Sequence, residues 1–358
     1  MNIKDETGKL YYVGGCVRDE ILGVRSLDVD ICYEGDVVEY VKTCGFEVLR
    51  TQEDIRTARV LIDGSEVDFA STRKEVYPKQ GHLPVTVEIG CDLKDDLIRR
   101  DFTVNSIAKS VATGEIVDLT GGLKDIELKL LRVHHKDSFK DDPTRIIRGL
   151  KFSLRFGFEL EEKTRQLQEE YLSNVNYDMS YSRLKKELVD TFNLNLDEGL
   201  KRFVDEGIYK LVSPCFSELP IVGIQDLINE FDVKNPWLCY LGWLDLSRFE
   251  LTKEEKKVLS DYAVLRDMQE EDDFTVYKTC KKSDIRAIIL WIMMSGKEVG
   301  LRYLRELQYI KLETTGDDLV ALGFAGKQIG ELLDKILIGK LKQPQLTKSE
   351  ELMLIDFD

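Results

Sequence analysis

The chain is poor in histidine: His82, His134 and His135 are the whole set in 358 residues. No His-Asp pair occurs, which speaks against a metal-dependent phosphohydrolase centre. Seven cysteines, an odd number without C-x-x-C spacing, exclude a disulfide framework and a cysteine-built zinc site. They point to reduced thiols in a cytoplasm. No apolar run approaches the length of a membrane span, and charged residues interrupt the first ten positions. Neither a transmembrane helix nor a signal peptide is expected. Positive charge is also short: the formal net charge is −15 at pH 7. Any contact with a phosphate backbone must then come from a local basic face on an acidic molecule. Internal repeats and low-complexity tracts are missing as well. What remains is an ordinary globular composition, 43% hydrophobic and 33% charged, long enough for two or three domains with their own cores.

The chemistry concentrates in Tyr12 to Ile31. An apolar run, Leu10 to Val13, reads as a strand and turns on Gly14-Gly15. Arg18 falls in the first turn of a predicted helix that Gly23 closes, and the chain returns as a strand carrying Asp28 and Asp30. A Gly-Gly turn lets backbone N–H groups approach an anion, and a helix N-terminus adds positive potential for phosphate. Side chains at i and i+2 of a strand share a face. Asp28 and Asp30 therefore project together, which suits Mg²⁺ bridged by carboxylates and triphosphate oxygens. Phosphate cradle, cationic arm and metal carboxylates in one stretch read as nucleotidyl transfer.

The run G-G-C-V-R-D-E-I-L-G-V-R-S-L-D-V-D resembles the motif G-G-x-V-R-D-x-(x)-L-G…D-x-D of the class II tRNA nucleotidyltransferase and bacterial poly(A) polymerase superfamily. Further along, Val37 to Cys44 reads as a helix ending at Gly45, and Glu47 to Arg50 as a strand. Thr57 to Ile62 and Glu66 to Ala70 form a predicted hairpin across Asp63-Gly64-Ser65. Its second arm carries Asp68 among apolar neighbours; the resemblance implies an acid there, a third carboxylate for the proton of the attacking hydroxyl. Residues 71 to 92 read as a loop with Pro78 and Pro84, and Y-P-K-Q-G-H-L-P stands where many CCA-adding members carry a basic D-x-R-R-type segment.

The segment D-D-L-I-R-R-D-F-T-V-N-S-I-A, residues 95 to 108, is expected as a helix burying Leu97, Ile98, Phe102, Val104, Ile107 and Ala108. Asp101 and Asn105, at i and i+4, would share a face. Such a pair can bond ribose hydroxyls while Arg99 and Arg100 reach phosphates. R-R-D-F-T-V-N-S is similar to the family's ribose-binding R-R-D-x-T-x-N. Glu115 to Leu119 is a short predicted strand, and long helices begin at Ser138. There Arg145, Arg148 and Lys151 recur every three residues, with Ile146, Ile147, Leu150 and Leu154 on the core side. This run resembles the family's base-reading helix E-D-x-x-R-x-x-R-x-x-R-F, with Asp141 for Glu and Lys151 for Arg. The resemblance implies that Asp142 and Arg145, three apart on one helix face, read the amino group and ring nitrogen that cytosine and adenine share. M-S-Y-S-R-L-K-K-E-L, residues 179 to 188, resembles S-x-E-R-x-x-x-E-L, keeping Arg183 and Glu187; Arg183 is expected to brace the neck.

Beyond residue 196 the pattern is helical, over Asp226–Phe231, Ile285–Met294, Val299–Leu307 and Asp318–Leu322, with Trp237, Trp243 and Trp291 expected in the core. The segment L-L-D-K-I-L-I-G-K-L-K-Q-P-Q-L-T-K, residues 332 to 348, reads as a helix with lysines near its end and is a candidate contact for tRNA backbone. The fold class expected is α+β: a small mixed-sheet head (1–136), a helical neck (137–195), and a helical body and tail (196–358). The resemblance implies addition of CMP and AMP from CTP and ATP to tRNA 3′ ends with Mg²⁺ as cofactor. Asp28 and Asp30 would hold the metals and Asp68 would activate the 3′-hydroxyl. Gly14, Gly15, Arg18 and Arg100 would cradle the triphosphate. A partial enzyme adding only A or only CC, a poly(A) polymerase, and a silent RNA-binding module are the alternatives.

Overall fold

The computed structural model describes residues 3, 5–26, 29–269 and 272–355. Asp28, one of the two expected metal ligands, lies outside them. The chain divides into two compact units, 1–191 with 198–214, and 192–197 with 215–358. The architecture is α+β, as expected.

The first unit opens with β1 (Leu10–Val13), α1 (Gly15–Leu22) and β2 (Asp30–Tyr33). Next come α2 (Val37–Thr43), β3 (Glu47–Gln52), β4 (Thr57–Ile62) and β5 (Ser65–Ser71). Gly23 ends α1 at φ 69°, and the Asp36 side chain caps α2 by accepting from the Val38 and Glu39 N–H groups. The β4–β5 turn puts Asp63 and Gly64 at positive φ, as a two-residue hairpin requires. Together with β8 (Ile107–Ser110) and β9 (Ile116–Asp118), these strands build a sheet of order β3-β4-β5-β2-β1-β8-β9. The β2–β5 pair is parallel and the other described pairs of this sheet are antiparallel.

Alternation decides what each face carries. Ala58, Val60, Val67 and Phe69 point to the face covered by Val37, Val38 and Val41 of α2. Arg59 and Asp68 point to the opposite face. There α3 (Leu93–Ile98) sets Leu93 and Leu97 against Val13, Cys32 and Ala108.

Three expectations need correction. Residues 71 to 92 are not a loop: β6 (Arg73–Val76) and β7 (Val85–Ile89) form an antiparallel ribbon. Its residues are mostly exposed, so the half-buried alternation that announces a strand is missing. Pro78 and Pro84 sit in the connection, where a missing N–H breaks no ladder. Residues 95 to 108 are not one helix either. After α3 comes a single 3₁₀ turn, Thr103–Asn105, and Ile107 and Ala108 enter the sheet in β8. Asp101 takes the Phe102 N–H at 2.8 Å and Ser106 Oγ donates to the Phe102 carbonyl at 3.0 Å. Side-chain bonds of this kind compete with the helical ladder. Ile98, expected inside, is 40% exposed.

The third correction concerns Asp142. After α4 (Gly122–Glu127) and the short parallel pair β10 (Leu130–Leu131) and β11 (Glu159–Leu160), the chain forms α5 (Ser138–Asp141) and α6 (Thr144–Phe156). Asp142 stands between these helices in extended conformation, φ −142° and ψ 92°. A residue before proline is pushed out of the helical region, so Pro143 separates Asp142 from the helix that carries Arg145. The unit continues with α7 (Glu162–Ser173) and α8 (Tyr181–Phe192).

The second unit is helical, with helices over Gln225–Glu230, Ile285–Ser295, Glu298–Arg305 and Gly316–Ala321 where the apolar periodicity placed them. Trp237 and Trp291 are buried, and Trp243 packs edge-on to Phe216 with its N–H donating to the Tyr240 carbonyl. The candidate tRNA contact at the end of Lys327–Lys342 is reduced: Lys340 is buried and ion-paired to the buried Glu351 at 2.8 Å. Among the described residues no helix is long and apolar enough to cross a membrane, and no disulfide joins any of the seven cysteines.

Candidate functional site

The glycine turn and α6 face one cavity of about 620 Å³. Gly14 has φ 72° and ψ −131°, a conformation that favours glycine, and a Cβ there would lie 2.9 Å from Arg100 Nη1 and force that guanidinium to shift. Arg100 donates to Asp96 at 2.8 Å, and its Nε is buried without a partner. Burial opposes the charge of Asp96, but Arg100 and Arg99 outweigh it and hold its carboxyl below the usual range. Arg18 lines the same cavity yet is buried: it donates to Asp19 at 2.6 Å and to Asn105 Oδ1 at 2.5 Å. It also lies over the rings of Phe152 and Phe156.

Asp101 and Asn105 remain together without a shared helix. Asn105 Nδ2 donates to Asp101 Oδ1 at 2.9 Å, and Arg148 Nε donates to Asp101 Oδ2 at 2.7 Å. Burial raises the cost of charging Asp101, but Arg148, Asn105 and the Phe102 N–H more than compensate. Its carboxyl is held well below the ordinary range. Glu187 of α8 spans the next turn of α6, accepting from Arg148 at 3.2 Å and from Lys151 at 2.6 Å. Arg148 and Lys151, three residues apart on α6, thus line the cavity and are both held by Glu187.

Asp142 and Arg145, expected to address one base together, both line the cavity but take different side-chain partners. Arg145 is buried and donates to Ser138 Oγ at 2.5 Å and to the Arg99 carbonyl at 2.9 Å, with the Tyr77 ring beside it. Asp142 accepts from Thr144 N–H and Oγ, and its other oxygen accepts from Arg183 at 2.5 Å. Arg183 Nη1 is buried with no partner. Both Asp142 and Arg183 line the cavity. In all, Gly14, Gly15, Arg18, Arg100, Asp101, Asn105, Asp142, Arg145, Arg148 and Lys151 reach this one space.

The acidic pair sits at its edge. Asp30 and Asp68 are direct partners across the parallel β2–β5 pair, so their side chains share a face. Asp30 lines the first cavity and also a second one of about 520 Å³, which Asp68 lines too. Two in-register carboxylates on adjacent strands fit a divalent cation, as oxygen-only donors suit Mg²⁺. Among the described residues no three His, Cys, Asp or Glu side chains cluster at metal-holding distance, and Asp28 is not among those residues.

Residues 10–132 match the model of the poly(A) polymerase head domain. The head belongs to the poly(A) polymerase head-domain family. Over 96% of its length the chain is 29% identical to the A-adding tRNA nucleotidyltransferase of Geobacter sulfurreducens, covering 44% of that enzyme. A CCA-adding enzyme of Lactiplantibacillus plantarum is 37% identical over 44% of the chain and 38% of its own length. The chain thus spans less than half the length of these curated relatives. Among solved structures, a CCA-adding enzyme in an apo form superposes with TM-score 0.78 at 28% identity, over 96% of this chain and 90% of that one. The Thermotoga maritima CCA-adding enzyme complexed with tRNA superposes with TM-score 0.74 at 25% identity, over 97% and 90%.

Within this family frame, several residues escaped the sequence reading. Asp96 carries both Arg99 and Arg100, and Asp19 holds Arg18. Asp96 lies three and four residues before those arginines, a helical spacing that could have signalled the pairing. Arg59 pairs with Asp68 from the neighbouring strand, and Tyr77 reaches Arg145 from the ribbon. Nothing local in the sequence announces either contact.

Proposed function

We propose that this chain transfers nucleotidyl groups from CTP and ATP to the 3′ end of tRNA. The observation that carries this reading is the convergence of the glycine turn, the Asp101–Asn105 pair and the Asp142–Arg183 pair on one cavity bordered by Asp30. The Gly14-Gly15 N–H groups and Arg100 bind the triphosphate, and Asp101 with Asn105 orients the ribose. The carboxylate of Asp142 accepts the exocyclic amino group of cytosine or adenine. The acceptor 3′-hydroxyl oxygen forms a bond to the α-phosphorus, the bond to the β-phosphate oxygen breaks, and pyrophosphate leaves. The hydroxyl proton passes to Asp68. Asp28 and Asp30 are the groups that would hold Mg²⁺, which supplies neutralisation of triphosphate charge when bound. Positioning and charge neutralisation account for most of the rate gain in such transfers.

Full CCA addition accords with a carboxylate that suits both bases and with the solved structures matched over nearly the whole chain. A-only addition is the second reading, favoured by two A-adding relatives that align over 96% and 92% of the chain. Incubation with tRNA ending before CCA or at CC, with labelled CTP or ATP and Mg²⁺, separates them. Incorporation of CMP on the shorter tRNA supports CCA addition. AMP incorporation confined to tRNA ending in CC supports the A-only reading. Long A tracts would mean a poly(A) polymerase, and no incorporation an RNA-binding module.

A further inference from the structure

One row of charges crosses the sheet on the side away from α2. Arg50 on β3 is the direct partner of Arg59 on β4, Arg59 of Asp68 on β5, and Asp68 of Asp30 on β2. Directly opposed residues point to the same face, so the four side chains stand in a line across the strands. The strand spacing makes that line roughly 14 Å from Arg50 to Asp30. Arg59 donates to both oxygens of Asp68, each at 2.7 Å, and approaches Glu66 at 3.3 Å. Arg50 is exposed. All four line the 520 Å³ cavity, together with Thr51, Gln52 and Ile55.

We propose that Arg50 and Arg59 are the subsite for the terminal phosphodiester of the RNA acceptor, and that Arg59 holds Asp68 until that phosphate arrives. The inference rests on the activity proposed above and deepens it. In-line displacement places the attacking and leaving oxygens on opposite sides of the α-phosphorus. The triphosphate cradle lies in the first cavity, so the attacking hydroxyl enters from the second, and Asp30 borders both. An acceptor whose 3′-hydroxyl reaches Asp68 brings its last phosphodiester back along the row, onto the two arginines. Guanidinium groups bind phosphate oxygens in the same two-point fashion that Arg59 now shows toward Asp68. The Arg59–Asp68 pair is half exposed on both sides, 50% and 43%, and exposed ion pairs hold weakly. A phosphate can therefore take Arg59 and leave the Asp68 oxygens open for proton and cation. Without acceptor, both oxygens stay engaged, which restrains transfer to water.

The test uses the full chain with three variants, Arg50→Ala, Arg59→Ala and Arg59→Lys. Binding of a tRNA transcript that lacks CCA and ends in a 3′-deoxynucleotide is followed by fluorescence anisotropy at several salt concentrations. Dissociation constants for ATP and CTP are measured on the same proteins, and thermal melting verifies folding. Each alanine change should weaken RNA binding about three- to tenfold and flatten the log–log salt slope by about one unit. Nucleotide affinity should stay within about twofold, and Arg59→Lys should fall between wild type and alanine. Mn²⁺ binding without RNA, read by electron paramagnetic resonance, should tighten in Arg59→Ala because Asp68 is released. Unchanged RNA affinity, or a loss in nucleotide affinity instead, would overturn the subsite; the second result would assign the arginines to triphosphate. Mn²⁺ affinity equal to wild type in Arg59→Ala would overturn the holding role. Failure of the wild type to incorporate nucleotide would defeat the activity reading alone, since RNA binding judges the subsite independently.

Discussion

The Asp142 carboxylate meets the Arg183 guanidinium at 2.5 Å, tying the extended residue before α6 to the first turn of α8. One Asp142 oxygen also caps α6 through the Thr144 N–H and hydroxyl, so the carboxylate is fixed from two sides. A group held in that way can present a set acceptor geometry to a base.

Arg183→Ala should loosen that geometry while leaving the helix cap in place. Use of UTP and GTP relative to CTP and ATP should rise about tenfold, equivalent to about 1.4 kcal/mol of lost discrimination. Competition assays with paired nucleotides measure it. Discrimination equal to wild type in an active, folded variant would sink the role of Arg183.

Asp28→Ala and Asp30→Ala should each remove incorporation, by about a thousandfold or more, because phosphoryl transfer depends heavily on neutralising the triphosphate charge. Thermal melting should stay within a few degrees, as Asp30 is only half buried at the edge of two cavities. Near-normal turnover by either variant removes the metal assignment.

Arg148→Ala should destabilise the fold by about 3 kcal/mol, since it leaves the buried Asp101 charge without its main partner. The double change Arg148→Met with Asp101→Asn should recover much of that loss by removing both charges. Urea unfolding of the single and double variants reads the coupling. Equal stability of the two would mean that the pair is not coupled.

Acid should weaken the fold in a defined window through His134. The ring is packed against Ser106 Oγ at 2.7 Å; burial, then the positive charge of Arg145, lowers its pKa from 6.5 to about 4. Because the folded value is the lower one, the unfolded chain binds the extra proton between these limits. Stability should therefore fall as pH drops from about 6.5 to about 4, by about 1 kcal/mol per unit, and level off below. Asp101 adds loss of the same sign below about pH 4, its folded carboxyl resisting protonation. In His134→Gln the upper window should flatten. An unchanged pH profile would exclude His134 as its source.

Local sequence settled much of the head. Gly14 and Gly23 mark a turn and a helix end that only glycine readily adopts, and alternation in Thr57–Ile62 and Ser65–Ser71 states which residues face a core. Many residues that line the 620 Å³ cavity were legible for the same reason: closely spaced side chains on one element share its geometry. Partnerships across elements were not legible. Asp142 was read on the Arg145 helix because a spacing of three implies one face only where the helix is continuous, and Pro143 ends that continuity. Tertiary structure alone gave Arg183 to Asp142, 41 residues away, and Ser138 to Arg145. It likewise set Arg50, Arg59, Asp68 and Asp30 in one row, since strand order and register depend on which faces bury apolar surface. A charged side chain takes whichever partner that packing brings near, and no periodicity within one strand encodes its neighbour.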